Sequence, residues 1–297
     1  MLILDESKAM MRSIIPVVTV IIALFIIWYG AAIALNAAWA HSKAERANIQ
    51  LSLSDLVKDT WSQEKPRLPA PHQVGIEIWK TTIEKKISSK RSLVFHGWIT
   101  LSSTLLGFAI GTSLGIALAV GIVHNKAMDM SVMPWAIASQ TIPILAIAPM
   151  IIVVLNSVGI QGLLPKAFIS AYLSFFPVVV GMVKGLRSPE KMQLDLLKTY
   201  NAKRGEVFWK LRLPSSMPYL FASLKVGIAA SLVGAIVGEL PTGAVRGLGA
   251  RLLAGSYYGQ TIQIWSALIS AACMAAILIS IVGLISHITL KRMGLQQ

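Results

Sequence analysis

Apolar positions in this chain gather into long blocks, and polar positions gather between them. The blocks run approximately over residues 14–36, 99–123, 131–155, 165–186, 216–240 and 263–288. A helix needs about 20 apolar residues to cross the hydrocarbon core of a bilayer. The pattern therefore predicts an all-α membrane protein, a polytopic helical bundle with about six transmembrane helices. The first apolar run, over 14–35, is longer than the roughly 7–15 residues of a signal-peptide core, so a retained first span is expected. Ala37, Ala38 and Ala40 behind it are the small residues that a cleavage reading would use.

Breakers and small residues punctuate the blocks. Gly107, Gly111 and Gly115 recur at four-residue intervals, and Gly227, Ser231 and Ala235 repeat the theme, as do Ala230, Gly234 and Gly238. Such stripes let a neighbouring backbone approach closely. Pro134, Pro143 and Pro149 fall in the third block and Pro177 in the fourth. Each removes a backbone donor, so a break at membrane depth survives only where protein or a water-filled path satisfies it. Ser139, Gln140 and Thr141 stand just before Pro143, and Gln140, Thr141, Pro143, Ser231 and Glu239 are the candidate pathway residues. Asn156 is a further polar candidate. Each such polar side chain has an alternative role as an interhelical hydrogen bond.

The segments between the blocks set orientation. Residues 184–212 carry Lys184, Arg187, Lys191, Lys198, Lys203, Arg204, Lys210 and Arg212 against Glu190, Asp195 and Glu206. That excess belongs on the cytoplasmic side. An even number of spans then places both termini in the cytoplasm, in agreement with Lys8, Arg12, Lys291 and Arg292. Residues 41–96 carry ten Lys and Arg against six Asp and Glu yet fall outside in this topology, which long loops tolerate. Inside that loop, beyond Pro69, Ala70 and Pro71, the residues Ile76, Trp79, Ile83 and Ile87 follow helical spacing among Glu77, Lys80, Glu84, Lys85 and Lys86. This external amphipathic helix either lies on the membrane surface or packs its apolar seam on its own protein.

Composition narrows the function class. Of 297 residues, 55% are hydrophobic and 13% charged, against about 25% charged in an ordinary soluble domain. The net charge of +14 comes from residues flanking apolar spans, so it reads as an orientation signal and not as a nucleic-acid surface. Cys273, the one cysteine, permits no intrachain disulfide and no cysteine metal cluster, and a small buried role is expected for it. The five histidines are scattered and read as interfacial or solvated. Lys225 and Glu239 are the candidate intramembrane charges, and neither has a partner nearby in sequence. No Gly-x4-Gly-Lys-Ser/Thr phosphate loop occurs, so any ATP chemistry belongs to another subunit. No cofactor is implied. An ion-coupled transporter would need a relay of intramembrane acids, and a membrane-embedded enzyme would need clustered catalytic groups, for which only Glu239 with Arg246 and Arg251 is suggestive.

The basic loop has a structure of its own. Residues 190–200 read as a helix with Leu194, Leu197 and Tyr200 on one face, closed by Asn201, which tolerates the left-handed conformation. A second helix follows, with Val207, Phe208 and Leu211 apolar, and Pro214 and Pro218 mark the entry to the fifth span. The loop resembles the signature of permeases in binding-protein-dependent ABC importers, which runs Glu-Ala-Ala, three residues, Gly, nine residues, Ile, one residue, Leu-Pro. Asp195, Leu196 and Leu197 stand at the Glu-Ala-Ala positions, Asn201 at the Gly, Leu211 at the Ile, and Leu213 and Pro214 at the Leu-Pro. Every interval fits, while Asp replaces Glu, Leu replaces both Ala, and Asn replaces Gly. Pro69, Ala70 and Pro71, the stretch from Thr141 to Pro149, and Gly238-Glu239-Leu240 followed by Gly247-Leu248-Gly249 resemble the nitrate, sulfonate and taurine branch.

The resemblance implies a type I ABC importer-like permease fold over residues 65–290, with a coupling loop at 187–217, a short tail at 291–297, and a first span and loop at 1–64 with little family signal. It implies a multi-pass permease of the bacterial inner membrane. The implied partners are cytoplasmic ABC ATPase subunits, a second permease copy (a homodimer), a periplasmic substrate-binding protein and the lipid bilayer, with no nucleic acid. Asp195, Leu196, Leu197, Tyr200, Asn201, Leu211, Leu213 and Pro214 would couple the ATPase. The implied cargo is a small anion such as nitrate, a sulfonate or taurine, or a pyrimidine related to a thiamine precursor. Lys166, Arg246 and Arg251 suit anions or an acidic docking rim.

Overall fold

The computed structural model describes residues 2–48, 50–240 and 246–295, with side chains from residue 15 onward. The described residues fold as helices joined by turns, with no strand among them. Among the described residues, five helices are long and apolar enough to cross a membrane: Ile15–Arg46, Leu93–His124, Leu163–Leu186, Arg204–Gly238 and Thr261–Arg292. The predicted third span, 131–155, is instead two helices, Lys126–Ser139 and Ile144–Ser157, bent by 100°. The break falls at Pro143, where the ring denies the helix a donor. Pro134 and Pro149 stay inside their helices.

The chain forms two compact units, residues 1–86 with 252–268, and residues 87–251 with 269–297. In the first unit α1 (Leu2–Arg46) exposes an apolar surface from Ile15 to Ile27. Farther along, it binds the segment that follows α2 (Leu53–Ser62). Asn36 is fully buried, and its amide is saturated. Its Nδ2 donates to the carbonyls of Thr60 (3.1 Å) and Leu68 (2.8 Å), and its Oδ1 accepts from the backbone N–H groups of Arg67 and Leu68. A buried amide so satisfied fixes a unique register. Lys43 reaches Asp59 at 2.9 Å and holds its carboxyl below the usual range. α3 (Pro71–Trp79) starts where Ala70 N–H donates to Gln73 Oε1, and it continues through a π turn at Lys80–Glu84.

In the second unit α4 (Leu93–His124), α7 (Leu163–Leu186) and α10 (Leu213–Gly238) form the packed heart. The glycine stripe of α4 faces α7. A methyl at Gly107 would lie 2.4 Å from Ser170 Cβ, one at Gly111 2.2 Å from Ser174 Oγ, and one at Gly115 2.9 Å from Val178 Cβ. Gly234 on α10 is equally tight against Ser170 Cα, at 2.7 Å. No side chain fits between these backbones, and close approach of this kind is what holds helices together where lipid supplies no hydrophobic driving force. Ser170 and Ser231 seal the seam with a 2.6 Å bond, and Ser231 Oγ also lies 2.8 Å from the Thr104 carbonyl.

The bent pair α5 (Lys126–Ser139) and α6 (Ile144–Ser157) joins opposite ends of this unit. Asp129 near the start of α5 pairs with Arg187 beyond the end of α7, at 2.8 Å. Ala148 and Ile152 of α6 pack with Ile169, near the start of α7, and Val237, at the end of α10. The Tyr172 hydroxyl donates to the Ser139 carbonyl at the break, midway. The pair thus travels from one end to the other as one broken span.

Two smaller expectations are corrected. Cys273 is exposed on α12 (Thr261–Arg292) and not a buried hydrophobe. His96 is buried, not solvated.

Candidate functional site

The end of the second unit that carries the basic loop is built from short, firmly ended pieces. Arg187 caps α7 and pairs with Asp129, and the Arg212 guanidinium donates to the Leu186 carbonyl at 3.2 Å. α8 (Lys191–Thr199) begins where the Glu190 N–H donates to Gln193 Oε1. It ends in a Schellman motif: Asn201 takes φ +54°, Asn201 N–H donates to the Lys198 carbonyl (2.8 Å), and Ala202 N–H to the Leu197 carbonyl (3.0 Å). Asn stands where such ends usually carry glycine because its short polar side chain tolerates that conformation.

No residue of α8 is buried. Leu194 and Leu197 are half-buried, while Met192 (76%), Leu196 (57%) and Tyr200 (77%) are exposed. The free apolar row is therefore Met192, Leu196 and Tyr200, spaced four apart, and not the predicted Leu194, Leu197 and Tyr200. Asp195 stays on the exposed side, paired with Lys198 at 2.8 Å. The second predicted helix is not separate. Arg204–Gly238 is one continuous helix in which α9 (Arg204–Val207) passes through a π turn, Phe208–Arg212, into α10. Pro214 and Pro218 ride within it. The π turn, in which Leu213 N–H reaches back to the Phe208 carbonyl, widens the helix ahead of the Pro214 ring. Leu211, Leu213 and Pro214 are half-buried there, Phe208 packs edge-on to His124, and Trp209 is exposed.

Among the predicted pathway residues, Gln140, Thr141 and Pro143 fall together at the α5–α6 break. Thr141 and Pro143 are exposed and Gln140 half-buried. The Thr141 hydroxyl donates to the Ala138 carbonyl, and Gln140 reaches Ser139. An apolar cleft of about 510 Å³ adjoins, lined by Ile110, Leu114, Met150, Phe168, Tyr172 and Phe175. Ser231 lies apart, sealed in the α4–α7–α10 seam.

Glu239 sits at the opposite end, fully buried. Its carboxyl accepts from Thr100 Oγ1 (2.9 Å) and from Gly249 N–H (2.9 Å), with Lys166 Nζ at 3.8 Å. Leu248 N–H donates to Thr100 Oγ1 and Gly247 N–H to His96 Nδ1, each at 2.9 Å, while His96 Nε2 lies 2.9 Å from the Lys90 carbonyl. The carboxyl occupies the place of a side chain at Gly247, whose φ is +123°, so only glycine fits. Glu239 thus caps the first turn of α11 (Leu248–Tyr257) and ties it to α4. Lys166 is also held by the Arg246 carbonyl, and the Arg251 guanidinium donates to the Arg91 carbonyl at 3.0 Å. These two cations serve the fold, and Arg246 stacks over Phe95. Sequence reasoning missed Thr100 and Lys166 as partners of Glu239; they lie 139 and 73 positions away, and nothing local marks them.

Residues 111–294 match the family described as binding-protein-dependent transport system inner membrane component. The chain is 31% identical over 183 residues to the formylaminopyrimidine transport permease of Halalkalibacterium halodurans, covering 61% of this chain and 68% of that one. It is 28% identical over 224 residues to the riboflavin transport system permease of Chloroflexus aurantiacus, covering 75% and 80%. It is 24% identical over 227 residues to the nitrate import permease of Synechocystis sp., covering 75% and 78%. The matched region contains the broken span, the basic loop with α8, and Glu239 with α11, and on this ground the chain belongs to the inner-membrane permeases of binding-protein-dependent ABC importers.

Proposed function

We propose that this permease works as half of an ATP-driven importer, with ATP hydrolysed by cytoplasmic subunits that dock on α8 and a second copy of the chain completing the pathway. The exposed row Met192, Leu196 and Tyr200 carries this reading. It is an apolar strip without cover, rimmed by Lys191, Lys198, Lys203 and Lys210, on the loop whose charge assigns it to the cytoplasm. The two ends of α8 are fixed by its capping box and Schellman motif, so a push on it passes to α7 and α10 as a rigid displacement. Asp195 and Asn201 act as rim and corner of that helix. With six spans, both termini are cytoplasmic.

The exposed backbone near Gln140 and Thr141 supports the pathway. Irregular backbone at membrane depth is tolerated only against protein or water, so this break faces the second copy across an aqueous route. The cargo is a small solute handed over by a periplasmic binding protein. Relatives named for nitrate, riboflavin and formylaminopyrimidine support a small anion or a small nitrogen heterocycle. Co-purification with the neighbouring ATPase gene product in detergent tests the reading. An ATPase that does not bind, or whose activity ignores the permease, overturns it.

A further inference from the structure

α3 and its π turn carry a second uncovered apolar strip. Val74 and Thr81 are buried against the chain, whereas Ile76 (51%), Trp79 (59%) and Ile83 (58%) are exposed. On a helix these three fall within about 60° of one another. The seam is therefore not packed on its own protein, which removes one of the two sequence readings.

The position of α3 is set by α1. Trp28 Nε1 donates to the Pro69 carbonyl at 3.0 Å, and the Tyr29 ring stacks on His72 at 5.9 Å. Trp28 also meets Trp265, and Tyr29 meets Trp61, at 4.9 and 5.0 Å. Trp28 and Tyr29 lie in the outer half of the apolar block 14–36, and α1 goes on to expose Leu35 and Trp39. Trp and Tyr concentrate where hydrocarbon gives way to headgroups. The start of α3 is thus held level with the outer part of that apolar block. From residue 80 to 91 the sequence carries Lys80, Lys85, Lys86, Lys90 and Arg91 against Glu84 alone. An Ile and Trp strip beside lysines matches an interfacial helix on anionic lipid.

We infer that α3 and the π turn form a lipid-binding element, with Ile76, Trp79 and Ile83 seated among the acyl-chain ends and the lysines on anionic headgroups. The test uses the full chain with Cys273→Ser, reconstituted in vesicles of phosphatidylethanolamine and phosphatidylglycerol. Nitroxide labels are placed singly at Ile76→Cys, Trp79→Cys and Ile83→Cys, with Glu84→Cys as the polar reference. Labels at the three apolar sites should collide with oxygen more than with a water-soluble nickel chelate, and the label at 84 the reverse. In vesicles of phosphatidylcholine alone, or after Lys80→Gln, Lys85→Gln and Lys86→Gln together, the three should move measurably toward water. Free collision with nickel at all three overturns the inference. So does protection that arises only on adding the binding protein, since that gives the strip to a protein partner. Depth that ignores lipid charge overturns the headgroup assignment.

Discussion

A fully buried carboxyl is stable only when its oxygens are occupied, and those of Glu239 are taken by Thr100 and Gly249. Thr100 is the hinge of this node, because its hydroxyl also receives Leu248 N–H. Thr100→Val keeps the shape but strands a buried N–H and a carboxyl oxygen, at a cost of about 1–3 kcal/mol. The expected result is a lower midpoint of thermal unfolding in detergent, with Glu239→Gln falling less than Glu239→Ala. Equal midpoints for all variants would mean that the node does not hold the fold. Gly111 poses the opposite problem, since any side chain there meets Ser174. Gly111→Leu should cost about 1–3 kcal/mol or more by forcing α4 from α7, and size-exclusion profiles after heating would register it. The Gly107, Gly111 and Gly115 stripe was legible in the sequence from its spacing. The partners of Glu239 were not, because a hydrogen bond across 139 positions leaves no periodic trace.

Among the elements, α8 separates two kinds of variant. Leu196 and Tyr200 are exposed and Leu197 is half-turned toward the chain. Leu196→Asp should leave the permease folded and lower its stimulation of the ATPase at least tenfold, the effect of a docking residue worth about 2 kcal/mol. Leu197→Asp should instead lower expression and thermal stability. A Leu196→Asp variant with full coupling would detach α8 from the mechanism. The ends of α8 could be read in advance, since Asn201 and the Glu190–Gln193 spacing are local signals. Its outward face could not, because Leu194–Leu197 and Met192–Leu196 spacings are both helical and only packing chooses between them. The π turn at Phe208–Arg212 likewise escaped a reading in which Pro214 begins a new helix, because a widened turn is a tertiary accommodation of the ring.

For the whole molecule, the broken span is what makes the topology even. An alkaline phosphatase fusion at Gln63 should be active, placing the loop after α1 outside, and a fusion at Lys203 should be inactive. The reverse pattern would invert the orientation drawn from the basic loop. Single cysteines at Gln140 and Thr141, in the Cys273→Ser chain, should react with aqueous thiol reagents in at least one nucleotide state of the assembled importer. Protection in every state would exclude the break from the pathway. Chain length and apolar spacing alone determined that this is a helical membrane protein with about six apolar spans and a basic loop between two of them, because lipid forces every backbone polar group into a helix whose span is a matter of counting. Tertiary structure alone decided that the third apolar block bends by 100° at Pro143, that Ser231 and Glu239 are hydrogen-bonded into the packing of their helices, and that Met192, Leu196 and Tyr200 face outward. Those outcomes depend on which surfaces meet, and close approach between distant segments is not encoded in any local period.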